Sequence, residues 1–127
     1  RPGPPPELTS AAYARDLAEV KAYGAKTGSR RTAHQTETAL YVARVEVQPA
    51  LGDHAARHGF DIVEAARLHA AVHSVLMDAS IAAWDAKLHH RTWRPVTAIR
   101  EADTDGNPAT HADPTWEPLL STPAHPD

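Results

Sequence analysis

The chain has 127 residues, of which 42% are hydrophobic, and its formal net charge at pH 7 is −3. This length allows one domain with a modest core, and the slight acidity argues against a general nucleic-acid or membrane-surface binder. The absence of cysteine excludes disulfides, thiolate metal sites and a cysteine nucleophile. The sequence contains no run of 18 apolar residues, which a membrane span would need.

The first part of the chain predicts a proline-rich coil followed by a helix. Residues 1–8 are rich in proline, so we expect an extended linker there. Thr9 or Ser10 can cap a helix that runs to about Tyr23. Gly24 follows at the position where a glycine commonly ends a helix.

Two shorter helices are predicted next. The string Thr32-Ala33-His34-Gln35 is a capping box that opens a helix extending to about Glu46 or Gln48. Pro49 then ends that helix or begins a third one, which runs through His58 and is closed by Gly59. Valines at positions 42, 45 and 47 leave a strand as the alternative for this segment.

A long helix dominates the second half of the chain. A second capping box at Asp61–Glu64 opens a 3.6-residue periodicity that continues to about His90, with a break near residues 73–78 left open. Pro95 stops this helix by Trp93 and can begin a short helix of its own. Residues 108–127 are proline-rich and predicted to be irregular. The sequence therefore predicts an all-α fold, in which residues 9–127 form a partial helical domain, a helical bundle fragment of a larger fold.

Cationic side chains recur at the end of the long predicted helix. Lys87, Arg91 and Arg94 follow one another at helical intervals, and a seven-residue spacing returns Lys87 and Arg94 to nearly one helical face, about 10 Å apart along the axis. Fixed cations of this kind can bind an oxyanion, because charge-assisted hydrogen bonds are the strong ones. The spacing alone leaves open a solvated basic helix end, which also favours lysine and arginine.

The same stretch resembles a known motif. Lys87, six residues, then Arg94-Pro95 is similar to the first motif of the vanadium-dependent haloperoxidases and their relatives, the type-2 phosphatidic acid phosphatases and bacterial acid phosphatases. Tryptophans at the positions of Trp84, three residues before the lysine, and Trp93, one residue before the arginine, are a further resemblance to the haloperoxidase-type members. Residues 96–108 look like the bacterial branch of this group.

The resemblance implies a function for the intact protein. Lys87 and Arg94 would bind oxygens of vanadate or of a phosphoryl group, and Trp84, His89, His90, Arg91 and Trp93 would line the pocket. In the haloperoxidase branch, the vanadate cofactor activates hydrogen peroxide to oxidise a halide, and this is the expected activity on a small-molecule substrate. Phosphoester hydrolysis of the acid phosphatase type, with no cofactor, is the alternative.

The family's other motifs do not occur in this sequence. The second contains Ser-Gly-His, and the third is Ser-Arg, five residues, His, two residues, Asp; these would supply the reacting histidines. Residues 122–127 look like the lead-in to the second motif, and His125 within them is not proposed as a catalyst. No catalytic residue is therefore predicted in this chain, and whether it is an enzyme by itself stays uncertain. We expect the remainder of its polypeptide or a second chain to complete the site.

A non-catalytic helical module that binds metal through histidine is the remaining alternative. The pairs His54/His58 and His69/His73 each have the four-residue spacing that can bind zinc on a helix. No third ligand accompanies either pair, so surface or packing roles are favoured and no metal site is predicted. The alternating acidic residues 103–107 lack the later ligands of a calcium loop and predict a plain turn.

Overall fold

A computed structural model describes residues 3–44 and 46–123 of the chain. The helices, in chain order, are α1 Ala11–Gly24, α2 Ala33–Val42, α3 Val47–Arg57, α4 Ile62–His90, α5 Pro95–Arg100 and a 3-10 helix, Ala102–Thr104. Within the described ranges the only β-type pairing is an isolated bridge between Ala25 and Pro118. The predicted all-α class is confirmed.

The helices begin at the residues that the capping signals indicate. The Ser10 hydroxyl accepts from the amide of Tyr13 at 3.1 Å. Both predicted capping boxes form: one joins Thr32 and Gln35, and in the other Asp61 accepts from the amide of Glu64 at 2.8 Å. Each box satisfies amides that the first turn of a helix leaves without an intrahelical partner.

The boundary between the second and third helices differs from the prediction. α2 ends at Val42 instead of continuing to residues 46–48, and α3 begins at Val47, two residues before Pro49. A proline in the first turn is compatible with a helix because that turn does not use its amide hydrogens within the helix. One helix thus ends at Val42 and the next begins at Val47, so the strand alternative is wrong for these two valines; residue 45 lies outside the described residues.

Gly24 has a different role from the predicted one. It is the last residue of α1 and is not among the glycines with positive φ, so it is not a left-handed cap. A Cβ added at this position would lie 3.2 Å from Cζ2 of Trp116. The glycine thus allows the indole ring to pack directly against the backbone of α1.

The long helix α4 is continuous over 29 residues, so the break considered near residues 73–78 does not form. Among the described elements it packs against α3, where Ala55 is buried. Its second half carries exposed apolar side chains at helical spacing: Met77, Ile81, Trp84 and Leu88. Periodicity therefore predicted the helix correctly, although this apolar stripe is not buried within the described residues.

The main core lies around α5, not α4. Its buried apolar members are Ala98, Ile99, Ala102 and Trp116, and its buried polar members are Asp105, Asn107 and Thr110. The described part of the segment predicted to be irregular, residues 108–123, has no helix, yet it supplies Thr110 and Trp116, and the turn before it supplies Asp105 and Asn107. α1 packs against α5.

Candidate functional site

The predicted oxyanion motif begins at the C-terminal end of α4. Lys87 is half-buried in the last turn, and the helix ends three residues later, at His90. Arg91 then has φ 50 and ψ 40, and it is the only non-glycine residue of the described ranges with positive φ. Its amide donates to the Lys87 carbonyl at 2.9 Å, and its Nε donates to the Leu88 carbonyl at 3.2 Å. Arg91 therefore caps the helix in the left-handed conformation.

This ending shows that the prediction of one shared helical face for Lys87 and Arg94 is wrong. The left-handed residue ends the helical geometry before Arg94 is reached. Arg94 itself is extended, with φ −69 and ψ 152, because a residue that precedes proline is disfavoured in the helical region. The position of Arg94 relative to Lys87 thus depends on the turn between α4 and α5, not on helical spacing.

Arg94 lines a cleft of about 480 Å³ together with a second arginine, Arg31. Other walls come from α1, Trp116 and residues 118–123. Both arginines are half-buried. Two guanidinium groups in one concave site raise the local positive potential and offer planar donor groups, a combination that suits an oxyanion.

Arg31 was not selected from the sequence, where it belongs to a polar loop. Its guanidinium donates to the carbonyls of Tyr23 and Ala25, the second at 2.8 Å, and its Nε donates to the Thr36 hydroxyl at 3.4 Å. These bonds attach it to the C-terminal end of α1 and leave part of its five-donor fork for a ligand. Only the tertiary structure places it beside Arg94, so no local sequence signal could have indicated it.

The other predicted pocket residues do not all lie around the Arg94 cleft. His90, Arg91 and Trp93 line a second cleft of about 750 Å³, which also contains Tyr13 and the proline-rich segment Pro4–Leu8. Trp84 is 46% exposed on α4. His89 is exposed and its ring packs edge-to-face on that of His90, with centroids 4.8 Å apart. The predicted roles of these residues toward an anion stay predictions.

Tyr13 and Trp93 both line the second cleft. Tyr13 Oη and Trp93 Nε1 are buried atoms without a hydrogen-bond partner in the described part of the chain. Burial raises the pKa of Tyr13 above its usual value, and the Asp105 carboxylate raises it further. The nearby Trp93 indole opposes this rise without forming a hydrogen bond of good geometry. The phenol group therefore keeps its proton at neutral pH.

The histidine pairs lie on the helices where they were predicted. The His54 and His58 rings stack with centroids 4.2 Å apart, and His58 Nδ1 lies 2.9 Å from the His54 carbonyl. The His69 and His73 rings are 6.0 Å apart. Within residues 3–44 and 46–123, no group of three or more histidine, aspartate or glutamate side chains is arranged to hold a metal ion.

The acidic turn after α5 uses its carboxylates within the fold. Asp105 accepts from the Thr110 hydroxyl at 2.7 Å and from the Asn107 amide at 2.7 Å. Asp103 accepts from the Ala112 amide at 3.0 Å. These bonds are typical of a carboxylate-stabilised turn, as predicted.

One comparison with known proteins gives a match over the second half of the chain. Residues 67–127 match the family model described as the VCPO second helical-bundle domain, a domain of vanadium haloperoxidases. The match includes both Lys87 and Arg94, and it confirms the predicted resemblance for this part of the chain. Neither the curated proteins nor the solved structures gave a match. No helix of the described residues is both long and apolar enough to cross a membrane.

Proposed function

We propose that this chain, whose residues 67–127 match a helical-bundle domain of the vanadium haloperoxidases, contributes the first oxyanion-binding motif of a haloperoxidase. Lys87 and Arg94 are the proposed ligands of vanadate. The family match over the stretch that contains both residues is the observation that carries this proposal. In the intact enzyme the activity would be oxidation of a halide by hydrogen peroxide.

The charges around Arg94 support an anion in this position. Arg94 and Arg31 line the same cleft, and Arg31 is held by backbone carbonyls of residues 23 and 25. A guanidinium fixed in this way loses little conformational entropy when it binds a second partner. The two arginines of this cleft offer donors that suit a tetrahedral oxyanion such as vanadate or phosphate, and Lys87 is not among the residues that line it.

Bound vanadate would supply the site at which peroxide is activated, and the residues of this chain would serve binding and charge neutralisation. Lys87 and Arg94 would hold the anion's oxygens and stabilise negative charge that develops on them. The acid–base and nucleophilic histidines of the resemblance are not among the 127 residues. We propose that they come from outside this sequence, from the same polypeptide or from a second chain.

Titration of the full chain with orthovanadate, followed by 51V NMR or calorimetry, tests this proposal. We expect saturable binding, weakened at least tenfold by Lys87→Ala and by Arg94→Ala, since each removes a charge-assisted contact. Arg57→Ala is the matched control, because this exposed arginine of α3 pairs with Asp53 at 3.4 Å and its loss changes the net charge equally.

The outcome that would contradict the proposal is equal vanadate affinity in Arg94→Ala and Arg57→Ala. A second measurement separates the two branches of the family. Bromination of an organic acceptor that requires vanadate and peroxide would support the haloperoxidase, whereas vanadate-inhibited hydrolysis of a phosphomonoester would indicate the phosphatase alternative. Both assays require the protein together with its histidine motifs.

A further inference from the structure

The second cleft has features that the oxyanion proposal does not use. It lies between the proline-rich segment Pro4–Leu8, the first turn of α1 and the turn Arg91–Trp93, and its volume is about 750 Å³. This size is in the range of small-molecule sites, which are concave and mostly apolar with a few polar groups. The rings of Tyr13 and Trp93 and the prolines provide such apolar walls.

Two polar atoms of the wall lack partners. Tyr13 Oη and Trp93 Nε1 are both buried and without a hydrogen bond within the described residues. Buried polar groups are nearly always paired, so two such atoms side by side need a reason. The Trp93 indole N–H can only donate a hydrogen bond, whereas the Tyr13 hydroxyl can donate or accept one. A single oxygen atom of a ligand could therefore pair with both groups.

The turn that forms one wall is also conformationally unusual. Arg91 has positive φ, which is unfavourable for a residue with a Cβ, and such residues concentrate at functional sites. Its left-handed conformation ends α4 at His90 and lets Thr92 and Trp93 enter the wall of the cleft. A glycine would make the same turn without this cost, whereas an arginine adds a long side chain to the lining.

We propose that the cleft between Pro4–Leu8, Tyr13 and Arg91–Trp93 binds a small, uncharged aromatic molecule that carries a hydrogen-bonding oxygen. Flat rings pack well between aromatic side chains and prolines. A net charge on the ligand is not favoured, because the lining contains both acidic and basic groups: Glu7, Asp16, His90 and Arg91. Burial keeps the Tyr13 phenol protonated, so it remains able to donate.

A ligand can reach the two buried atoms only if the wall of the cleft moves. Proline has no amide hydrogen, so Pro4, Pro5 and Pro6 cannot donate a backbone hydrogen bond. The chain is anchored after these prolines, where the Leu8 and Ser10 carbonyls accept hydrogen bonds from the Asn107 side chain at 2.8 and 3.2 Å. We expect a small displacement of the proline segment to open the cleft while this attachment stays intact.

Titration of the full chain with phenol, followed through the indole N–H signals in a 1H–15N spectrum, tests the proposal. The chain has three tryptophans, and the Trp93 signal is assigned with Trp93→Phe. We expect saturation with a Kd of about 1 mM and a shift of the Trp93 signal. The Trp116 signal is the internal control, because its Nε1 already donates to the Lys21 carbonyl at 3.1 Å.

Matched probes and variants separate the contribution of the ligand's aromatic ring from that of its oxygen atom. Toluene keeps the ring and lacks the oxygen, and cyclohexanol keeps the oxygen and lacks the flat ring; each should bind about threefold to tenfold more weakly than phenol. Tyr13→Phe should weaken the binding of phenol by the same factor and leave the binding of toluene unchanged. Tyr41→Phe is the control, since Tyr41 is 72% exposed and lies outside this cleft.

The proposal is overturned if phenol leaves the Trp93 signal in place, if the shift does not saturate, or if Tyr13→Phe binds phenol as tightly as the parent chain. Should Tyr13→Phe fail to fold by circular dichroism, the difference between phenol and toluene on the parent chain decides. The titration contains no vanadate, so its failure would leave the proposed oxyanion site unaffected.

Discussion

Asp105 is 6% exposed, and its surroundings show most clearly how a single residue affects stability. The Thr110 hydroxyl lies 2.9 Å from Oδ1 and 2.7 Å from Oδ2 of the Asp105 carboxylate. Burying a charge is costly unless it is hydrogen-bonded, so this one hydroxyl has a large share in keeping the carboxylate inside. The sequence predicted a turn here, but it did not indicate that the turn would be part of the core.

We predict that Thr110→Val, which removes the hydroxyl at nearly constant volume, lowers the free energy of unfolding by about 1–3 kcal/mol. The loss leaves a buried acceptor with one donor fewer. Urea denaturation followed by circular dichroism measures the change. Thr115→Val is the control, because Thr115 donates to Asp113 at 2.9 Å in an exposed position and should change stability by less than about 0.5 kcal/mol. Equal effects of the two substitutions would show that burial of Asp105 does not determine the cost.

At the same scale, the candidate site was predicted only in part. Lys87 and Arg94 were selected through the motif, and their spacing was interpreted as one helical face. The left-handed Arg91 ends that helix, and sequence reasoning does not foresee positive φ at an arginine because glycine is the usual residue there. Arg31 lies beside Arg94 only through packing of distant segments, so it was not predictable from local patterns.

At the scale of elements, the capping signals and hydrophobic periodicity predicted the helices well but not which of them form the core. α4 has 29 residues and none of them is buried, whereas the six-residue α5 contains Ala98 and Ile99. Periodicity reports that one face of a helix is apolar. It does not report which segment covers that face, and this depends on partners elsewhere in the chain.

The same substitution in these two helices measures this difference. Ile99 is fully buried and Ile81 is 60% exposed. We predict that Ile99→Val costs about 0.5–1.5 kcal/mol, because it removes a packed methylene group and leaves a cavity. Ile81→Val should fall within about 0.5 kcal/mol of the parent, as at other surface positions. Chemical denaturation of both variants gives the comparison, and an equal cost at Ile81 would show that the stripe on α4 is covered in solution.

At the scale of the whole molecule, contacts between the two ends of the chain organise the fold. The Trp116 indole donates to the Lys21 carbonyl, and the backbone amides of Lys26 and Leu119 each bond across the same junction, to Glu117 and Gly24. These pairs are separated by about 90 residues or more along the sequence. Proline-rich composition predicted a lack of helix and strand in the C-terminal segment, but composition carries no information on contacts over such separations.

Asn107 links Leu8 and Ser10 to the core. Its Nδ2 donates to the carbonyls of Leu8 at 2.8 Å and Ser10 at 3.2 Å, and its Oδ1 accepts from the Ala109 amide at 3.0 Å. Asn107 is 8% exposed, so water cannot readily replace these partners. Ser10 in turn caps α1, which means that the same amide holds the start of the first helix.

We predict that Asn107→Asp lowers the free energy of unfolding by about 1–3 kcal/mol, because the carboxylate retains the acceptor for Ala109 but faces two carbonyls without a hydrogen to donate. Hydrogen exchange at the amides of residues 11–14 should accelerate more than exchange in α3, since the start of α1 loses its attachment. Asp103→Asn is the reciprocal control at an exposed turn position, where the amide oxygen can still accept from Ala112. Uniform acceleration in both helices would contradict a local role for Asn107. Selective acceleration in α1 would show that the Asn107 amide anchors the start of this helix, to which the Pro4–Leu8 wall of the second cleft is joined.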